Sequence, residues 1–106
     1  MMTSTTSDIA GFVIVRNFGV VDVLTINAVG AAGNVLGGLQ ALAGGKLSAY
    51  HELNDSTRKE AFDKMCDQAG KMGANGVVGV RIQTQGYVQG VLEVLCYGTA
   101  VLVQPL

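Results

Sequence analysis

The sequence predicts an α+β domain in which one long helix packs on an antiparallel sheet. Three observations carry the prediction: β-rich runs in the first third, an amphipathic stretch in the middle, and two alternating apolar runs at the end. A chain of 106 residues accommodates one hydrophobic core, so residues 1–106 read as a single domain.

The first runs are GFVIVR (Gly11 to Arg16) and FGVVDVLTI (Phe18 to Ile26), read as two short strands. Asn17 and Gly19 between them permit a bend or bulge, because both residue types tolerate positive φ. A small-residue stretch follows, and in it Val35, Leu36, Leu39 and Leu42 fall at helical spacing from Asn34 to Ala43, with Gly44 and Gly45 as a stop. Gly37 and Gly38 each cost such a helix about 1 kcal/mol relative to Ala, so it is expected to be short.

Ser48 to Met72 is the most strongly patterned element. Tyr50, Leu53, Thr57, Ala61, Met65, Ala69 and Met72 share one stripe, and Glu52, Asp55, Lys59, Asp63 and Asp67 lie largely off it. Ser48, or Asn54 for a later start, is the expected N-cap. Two strands then follow, Val77 to Gln85 and Val91 to Val103, joined across Gly86 to Gly90. Alternation aims Val78, Val80 and Ile82 at the helix, together with Leu92, Val94, Cys96, Gly98, Ala100 and Leu102. The opposite face retains Leu95, Tyr97 and Val101, apolar enough to want a second cover.

Glycines 70, 73, 76 and 79 recur at every third position, a density that also suits phosphate loops. A phosphate loop follows a strand and opens a helix, where free N–H groups and the positive dipole end meet the anion. Here the order is reversed, and a helix C-terminus offers carbonyls instead. Gly73, Gly76 and Gly79 are therefore read as a structural turn. Gly73 closes a left-handed cap, and Gly79 lets another backbone come close.

Composition excludes several function classes. Seven basic and eight acidic residues are scattered, giving a net charge of −1 and no basic face for nucleic acid. The stretch AVGAAGNVLGGLQALAGG is interrupted by Asn34 and Gln40, so no membrane span is expected despite the GxxxG spacing of Gly33 and Gly37. The start MMTSTTSD lacks the charged and apolar regions of a signal peptide, and a cytoplasmic protein with free thiols is expected. Charged residues make up 14% of the chain, against roughly 25% in an average soluble domain. So sparse a polar cover predicts that another copy of the chain shields part of the surface.

Candidate donors for a metal are Cys66, Cys96 and His51, but no C-x-x-C or H-x-x-x-H pair forms a local chelate. His51 and Cys66 are fifteen residues apart on one helix, about 22 Å, which also rules out a Cys–His catalytic pair within a subunit. Both cysteines are favoured as core residues, and no cofactor is expected. If the last two strands pair about Tyr87, Arg81 and Glu93 lie opposite each other, either as a cross-strand ion pair or as a polar anchor at an interface or cleft.

GGKLSAYHEL, the long helix, MGANGVVGVRIQ and CYGTAVLV together resemble the YbjQ-like family of uncharacterised small bacterial proteins, also labelled heavy-metal-binding. The family pattern runs GGR-S-x-x-Y with Glu after the Tyr, then LGANAVVGVR, then YGTAV. It is matched at Gly44, Gly45, Tyr50 and residues 73–75, 77–81 and 97–101, with Phe18 to Val21 similar to an early LGVV. Lys46, Leu47 and His51 stand where the pattern has Arg, Ser and Glu, and Lys46 loses the bidentate fork of an arginine.

The resemblance implies a two-layer β-α-β-β unit similar to a dodecin subunit, assembled into a ring that is typically pentameric. The leading expectation is thus a non-enzymatic cytoplasmic homo-oligomer that binds an unknown small ligand or partner. One alternative is a metal-handling protein using Cys66, Cys96 or His51 across subunits. The other is an enzyme with an interface site drawn from Lys46, Tyr50, Asn75, Arg81, Glu93 and Tyr97, which are also the expected ligand-binding residues.

Overall fold

A computed structural model describes residues 1–28, 47–86 and 90–106. The short helix expected from Asn34 to Ala43 lies outside the described residues. Strands β1 (Met2–Thr3), β2 (Phe12–Ala28), β3 (Gly76–Gly86) and β4 (Val91–Pro105) form one sheet in the order β1-β3-β4-β2. Helix α1 (Leu47–Lys71) covers one face of it. The β2–β4 and β3–β4 pairs are antiparallel, as expected, while β1 adds a parallel pair with β3 and makes the sheet mixed.

The two runs read at the start are one strand. β2 continues through Asn17, with register shifts between Ile14 and Arg16 and between Asn17 and Gly19. The second bulge has a local cause: Gly19 sits at φ 99°, and its N–H donates to Asn17 Oδ1 at 2.7 Å. Bulges let a long strand bend and continue where a flat one would break its ladder.

Helix α1 buries the predicted stripe, with Thr57, Ala61, Met65 and Ala69 fully covered and Tyr50 and Leu53 packed at the margin. Beneath them lie Val21, Val23, Val77, Val80, Leu92, Val94, Cys96 and Ala100. Met72, expected in the stripe, lies beyond the last helical turn and stays exposed. Ser48 and Asn54 both fall inside the helix, so neither is its cap. At the other end Gly73 takes φ 98°; its N–H donates to Gly70 O at 3.0 Å, and Ala74 N–H reaches Ala69 O at 3.1 Å. This pair of bonds is a Schellman cap, which satisfies the last carbonyls and turns the chain back toward the sheet.

Alternation in β3 is broken by a bulge between Val78 and Arg81, where Gly79 adopts φ 62°. The extra residue reverses the facing of what precedes it. Val77 joins Val80 under the helix, and Val78 turns to the opposite face, the reverse of the expectation. A backbone comes close at Gly79 as expected, its N–H donating to Thr6 O at 2.8 Å. Nothing lies within 4 Å of a Cβ built there, however, so glycine is needed for the positive φ; the approach that would exclude a Cβ is at Gly98. On the far face Val78, Val101 and Val103 form a second small core with Met2, Ile9 and Phe12. The polar N-terminus is therefore a strap: Met2 N–H donates to Asn75 O, Ser4 N–H to Val77 O, and Val80 N–H to Ser4 O.

Candidate functional site

The strap covers only one end of the far face. Beyond it, cross-strand rows run Arg81–Tyr97–Asp22, Gln83–Leu95–Leu24 and Gln85–Glu93–Ile26. Val20, Leu24 and Ile26 are 72%, 53% and 52% exposed. The result is a sheet face with polar groups on the β3 side, Leu95 and Tyr97 half-buried in the middle, and on the β2 side apolar groups interrupted by Asp22. A groove of about 310 Å³ at the β3–β4 side is lined by Gln83, Thr84, Gln85, Glu93 and Leu95.

Of the six expected ligand-binding residues, three share this face. Arg81 and Tyr97 are cross-strand partners, whereas Glu93, four residues before Tyr97 on β4 and about 13 Å from it, pairs with Gln85. The expected Arg81–Glu93 opposition is thus corrected: the partner of Arg81 lies four residues further along β4 than a turn centred on Tyr87 requires. The Arg81 guanidinium instead donates from Nη1 to Thr5 O at 2.9 Å and Val80 O at 2.8 Å, fastening the strap.

The other three do not join them. Tyr50 is on the helix side, with its hydroxyl 3.4 Å from where a Cβ of Gly86 would stand. The Asn75 side chain is engaged by β4, donating to Val103 O at 2.9 Å and accepting from Val103 N–H at 2.8 Å. Lys46 lies outside the described residues. Sequence reasoning missed Asp22 and Gln85. Asp22, alone among charged residues inside the apolar run GVVDVLTI, was the available signal. It also missed Thr25, whose buried Oγ1 has no hydrogen-bond partner among the described residues, beside the Asn27 Nδ2 to Thr57 Oγ1 bond of 3.1 Å.

The sulfur groups behave as core. Cys96 is fully buried, and its thiol donates to Met65 Sδ at 3.5 Å. Burial pushes the Cys96 thiol up from its ordinary value, and proximity to Cys66 adds to the effect. Cys66 is half-buried, and burial raises it too, against a pull from the N-terminal ammonium and with a lesser push from Asp63. His51 is on the exposed side of α1 with Asp55 Oδ2 at 3.6 Å. On the exposed side of the helix Glu60 pairs with Lys64 at 3.1 Å and Asp67 with Lys71 at 3.2 Å. Among the described residues no helix is long and apolar enough to cross a membrane.

The family profile described as "Putative heavy-metal-binding" (YbjQ) matches residues 1–104. The chain belongs to the YbjQ family. It is 39% identical to a UPF0145 protein of Chromobacterium violaceum, over 99% of this chain and 90% of that one. Likewise it is 40% identical to one of Solibacter usitatus, over 96% and 91%, and 38% identical to one of Dehalococcoides mccartyi, over 98% and 100%. A crystal structure of a protein of unknown function in the DUF74 family, from Pediococcus pentosaceus, shares the fold with a TM-score of 0.67. Its identity is 21%, over 98% of both chains.

The donors of this family member do not fit the heavy metal of that description within one chain. No group of three His, Cys, Asp or Glu side chains occurs among the described residues, and the remaining positions contain none of these residue types. The buried Cys96–Met65 sulfur pair brings one thiol and one thioether together at 3.5 Å, two donors where a closed structural zinc site uses four.

Proposed function

We propose that this protein is a non-enzymatic, self-assembling cytoplasmic protein whose uncovered sheet face joins copies of the chain and holds a small ligand or partner against them. The observation that carries this reading is the face itself: Val20, Leu24 and Ile26 stand in water at the end of a sheet whose other face is sealed by α1. Contiguous exposed apolar area on a small domain is ordinarily an interaction site. A pentameric ring is the arrangement the family resemblance suggests. The non-enzymatic part is supported by geometry, because the candidate polar groups are divided between two faces of the sheet and Asn75 is engaged by the backbone. Native mass spectrometry of protein purified from its own source tests both parts. A discrete oligomer retaining a small molecule is expected, and a bare monomer at micromolar concentration overturns the reading.

The family description favours a second reading, in which donors from two or more copies meet around a soft metal. The exposed His51–Asp55 pair is the accessible element in such an arrangement. Metal titration of the Cys66→Ser, Cys96→Ser and His51→Ala proteins decides it, and unchanged affinity in all three removes it.

A further inference from the structure

We infer that the far face of the sheet binds a linear dication, two ammonium groups joined by an aliphatic chain, held between Asp22 and Glu93. The inference rests on the small-ligand part of the reading above and names the class of that ligand.

The register builds the site in three rows across β2 and β4: Asp22 beside Tyr97, Leu24 beside Leu95, and Ile26 beside Glu93. Both acids stand on the face opposite α1, because their chain neighbours Val21, Val23, Leu92 and Val94 are buried under the helix. The two carboxylates therefore close the diagonal ends of a strip whose middle is leucine on both strands. Four residues at about 3.4 Å each and one strand spacing of about 4.8 Å put their Cα atoms about 14 Å apart. An ammonium about 2.8 Å inside each carboxylate leaves about 8–11 Å between the two nitrogens, the reach of an extended chain of about six to eight carbons.

Each end has a second group that favours a cation. Glu93 is in the groove of about 310 Å³ with Gln83 and Gln85, whose amide oxygens accept N–H bonds. Asp22 lies directly across from Tyr97, and an aromatic face attracts a cation within about 6 Å. Between the ends, Leu24 and Leu95 offer contact to methylenes and no partner for a polar centre.

The basic residues of the chain are placed elsewhere. Four of the seven are on α1, against the other face of the sheet. Arg16 lies over the Phe18 ring at 4.8 Å, and Arg81, one strand beyond Tyr97, is fastened to Thr5 O and Val80 O. Two strand spacings, about 10 Å, separate Arg81 from Asp22, and salt screens exposed charges at that distance. Among the described residues neither acid has an ion-pair partner. Lys46 is the one basic residue outside them, and a single lysine neutralises only one carboxylate of a pair so far apart. Charge complementarity thus selects the occupant of this apolar strip: an anion or a neutral molecule leaves both acids unpaired, and a monocation pairs with one.

Titration calorimetry with the eight-carbon α,ω-diamine tests the site, with the eight-carbon monoamine, the eight-carbon diol and the three-carbon diamine as controls. The long diamine is expected to bind about fivefold tighter or more than each control, the upper range for an added exposed ion pair. Asp22→Asn and Glu93→Gln are each expected to reduce it to the affinity of the monoamine, because either variant leaves one ion pair. Equal affinity for the long diamine and the monoamine, or undiminished binding by either variant, overturns the inference, as does a diamine that does not bind. The comparison of the four probes uses the unaltered protein and so holds even where a variant fails to fold. Native mass spectrometry of the same samples separates the dication from the reading it rests on. An oligomer that retains a molecule from its source and ignores the diamine overturns the dication alone, whereas a monomer that binds the diamine overturns the assembly alone.

Discussion

Asn75 pairs with Val103 through its side chain as a strand residue would through its backbone. Its amide donates to the Val103 carbonyl at 2.9 Å and accepts the Val103 N–H at 2.8 Å, while its own N–H reaches Val101 O at 3.1 Å. The side chain carries the β3–β4 ladder past the point where β3 begins. An asparagine in the family-defining stretch thus has a folding role, which accounts for its distance from the far-face row. Asn75→Asp removes the donor and places an acceptor against the Val103 carbonyl. Denaturant unfolding should show a loss of about 1–3 kcal/mol. An unchanged midpoint with lost ligand retention would return Asn75 to the binding residues.

Gly98 and Gly79 are required for different reasons, and substitution separates them. A Cβ on Gly98 would stand 2.6 Å from Val77 Cγ1 and 3.0 Å from Val78 O, and the backbone oxygen cannot swing away. Gly98→Ala should cost about 1–3 kcal/mol through overpacking, with Val77→Ala in the same chain recovering only part. Gly79 has open space and φ 62°. Gly79→Asn should therefore be milder than Gly79→Val in thermal melts, since Asn tolerates the left-handed region and β-branched residues do not.

Met65 and Met72 were placed on one stripe by spacing but differ in burial. Met65 is fully covered and Met72 is 37% exposed. Met65→Ala should lose about 2–5 kcal/mol by leaving a cavity. Met72→Ala should fall within about 0.5 kcal/mol of wild type. Urea titrations of the two variants make the comparison directly.

Thr25 hides a hydroxyl that finds no partner among the described residues. Replacing it with an isosteric apolar group removes an uncompensated desolvation, so Thr25→Val should raise stability by about 1 kcal/mol. A destabilised variant would point to a partner for that hydroxyl in the functioning protein.

The raised thiol of Cys96 links stability to pH. Its folded value lies above the unfolded reference of 9.0, so the neutral thiol's contribution is complete below pH 9 and is lost as pH rises through the folded value. Melting temperature should decline on the alkaline side of pH 9, and less steeply in Cys96→Ala after allowance for its lower starting stability. The fully buried Cys96 should also react with a thiol reagent far more slowly than the half-buried Cys66.

What sequence alone determined were the features set by local periodicity and local stereochemistry. Helix α1 was legible because its stripe repeats at 3.6 residues, and its end because only glycine takes the left-handed cap at Gly73 cheaply. The bulge at Asn17 and Gly19 was legible for the same conformational reason, as was the facing of β4, which alternates without interruption. Family membership followed from motifs close together along the chain. The tertiary structure decided whatever depends on partners distant in sequence. One bulge at Gly79 inverted the facing of Val77 and Val78, because a strand's period of two has no memory across an inserted residue. Hairpin register, settled by the whole β3–β4 ladder, separated Glu93 from Arg81 and brought Tyr97 between Arg81 and Asp22. The polar N-terminus became a strap because β3 offered it an edge, a pairing between residues more than seventy positions apart.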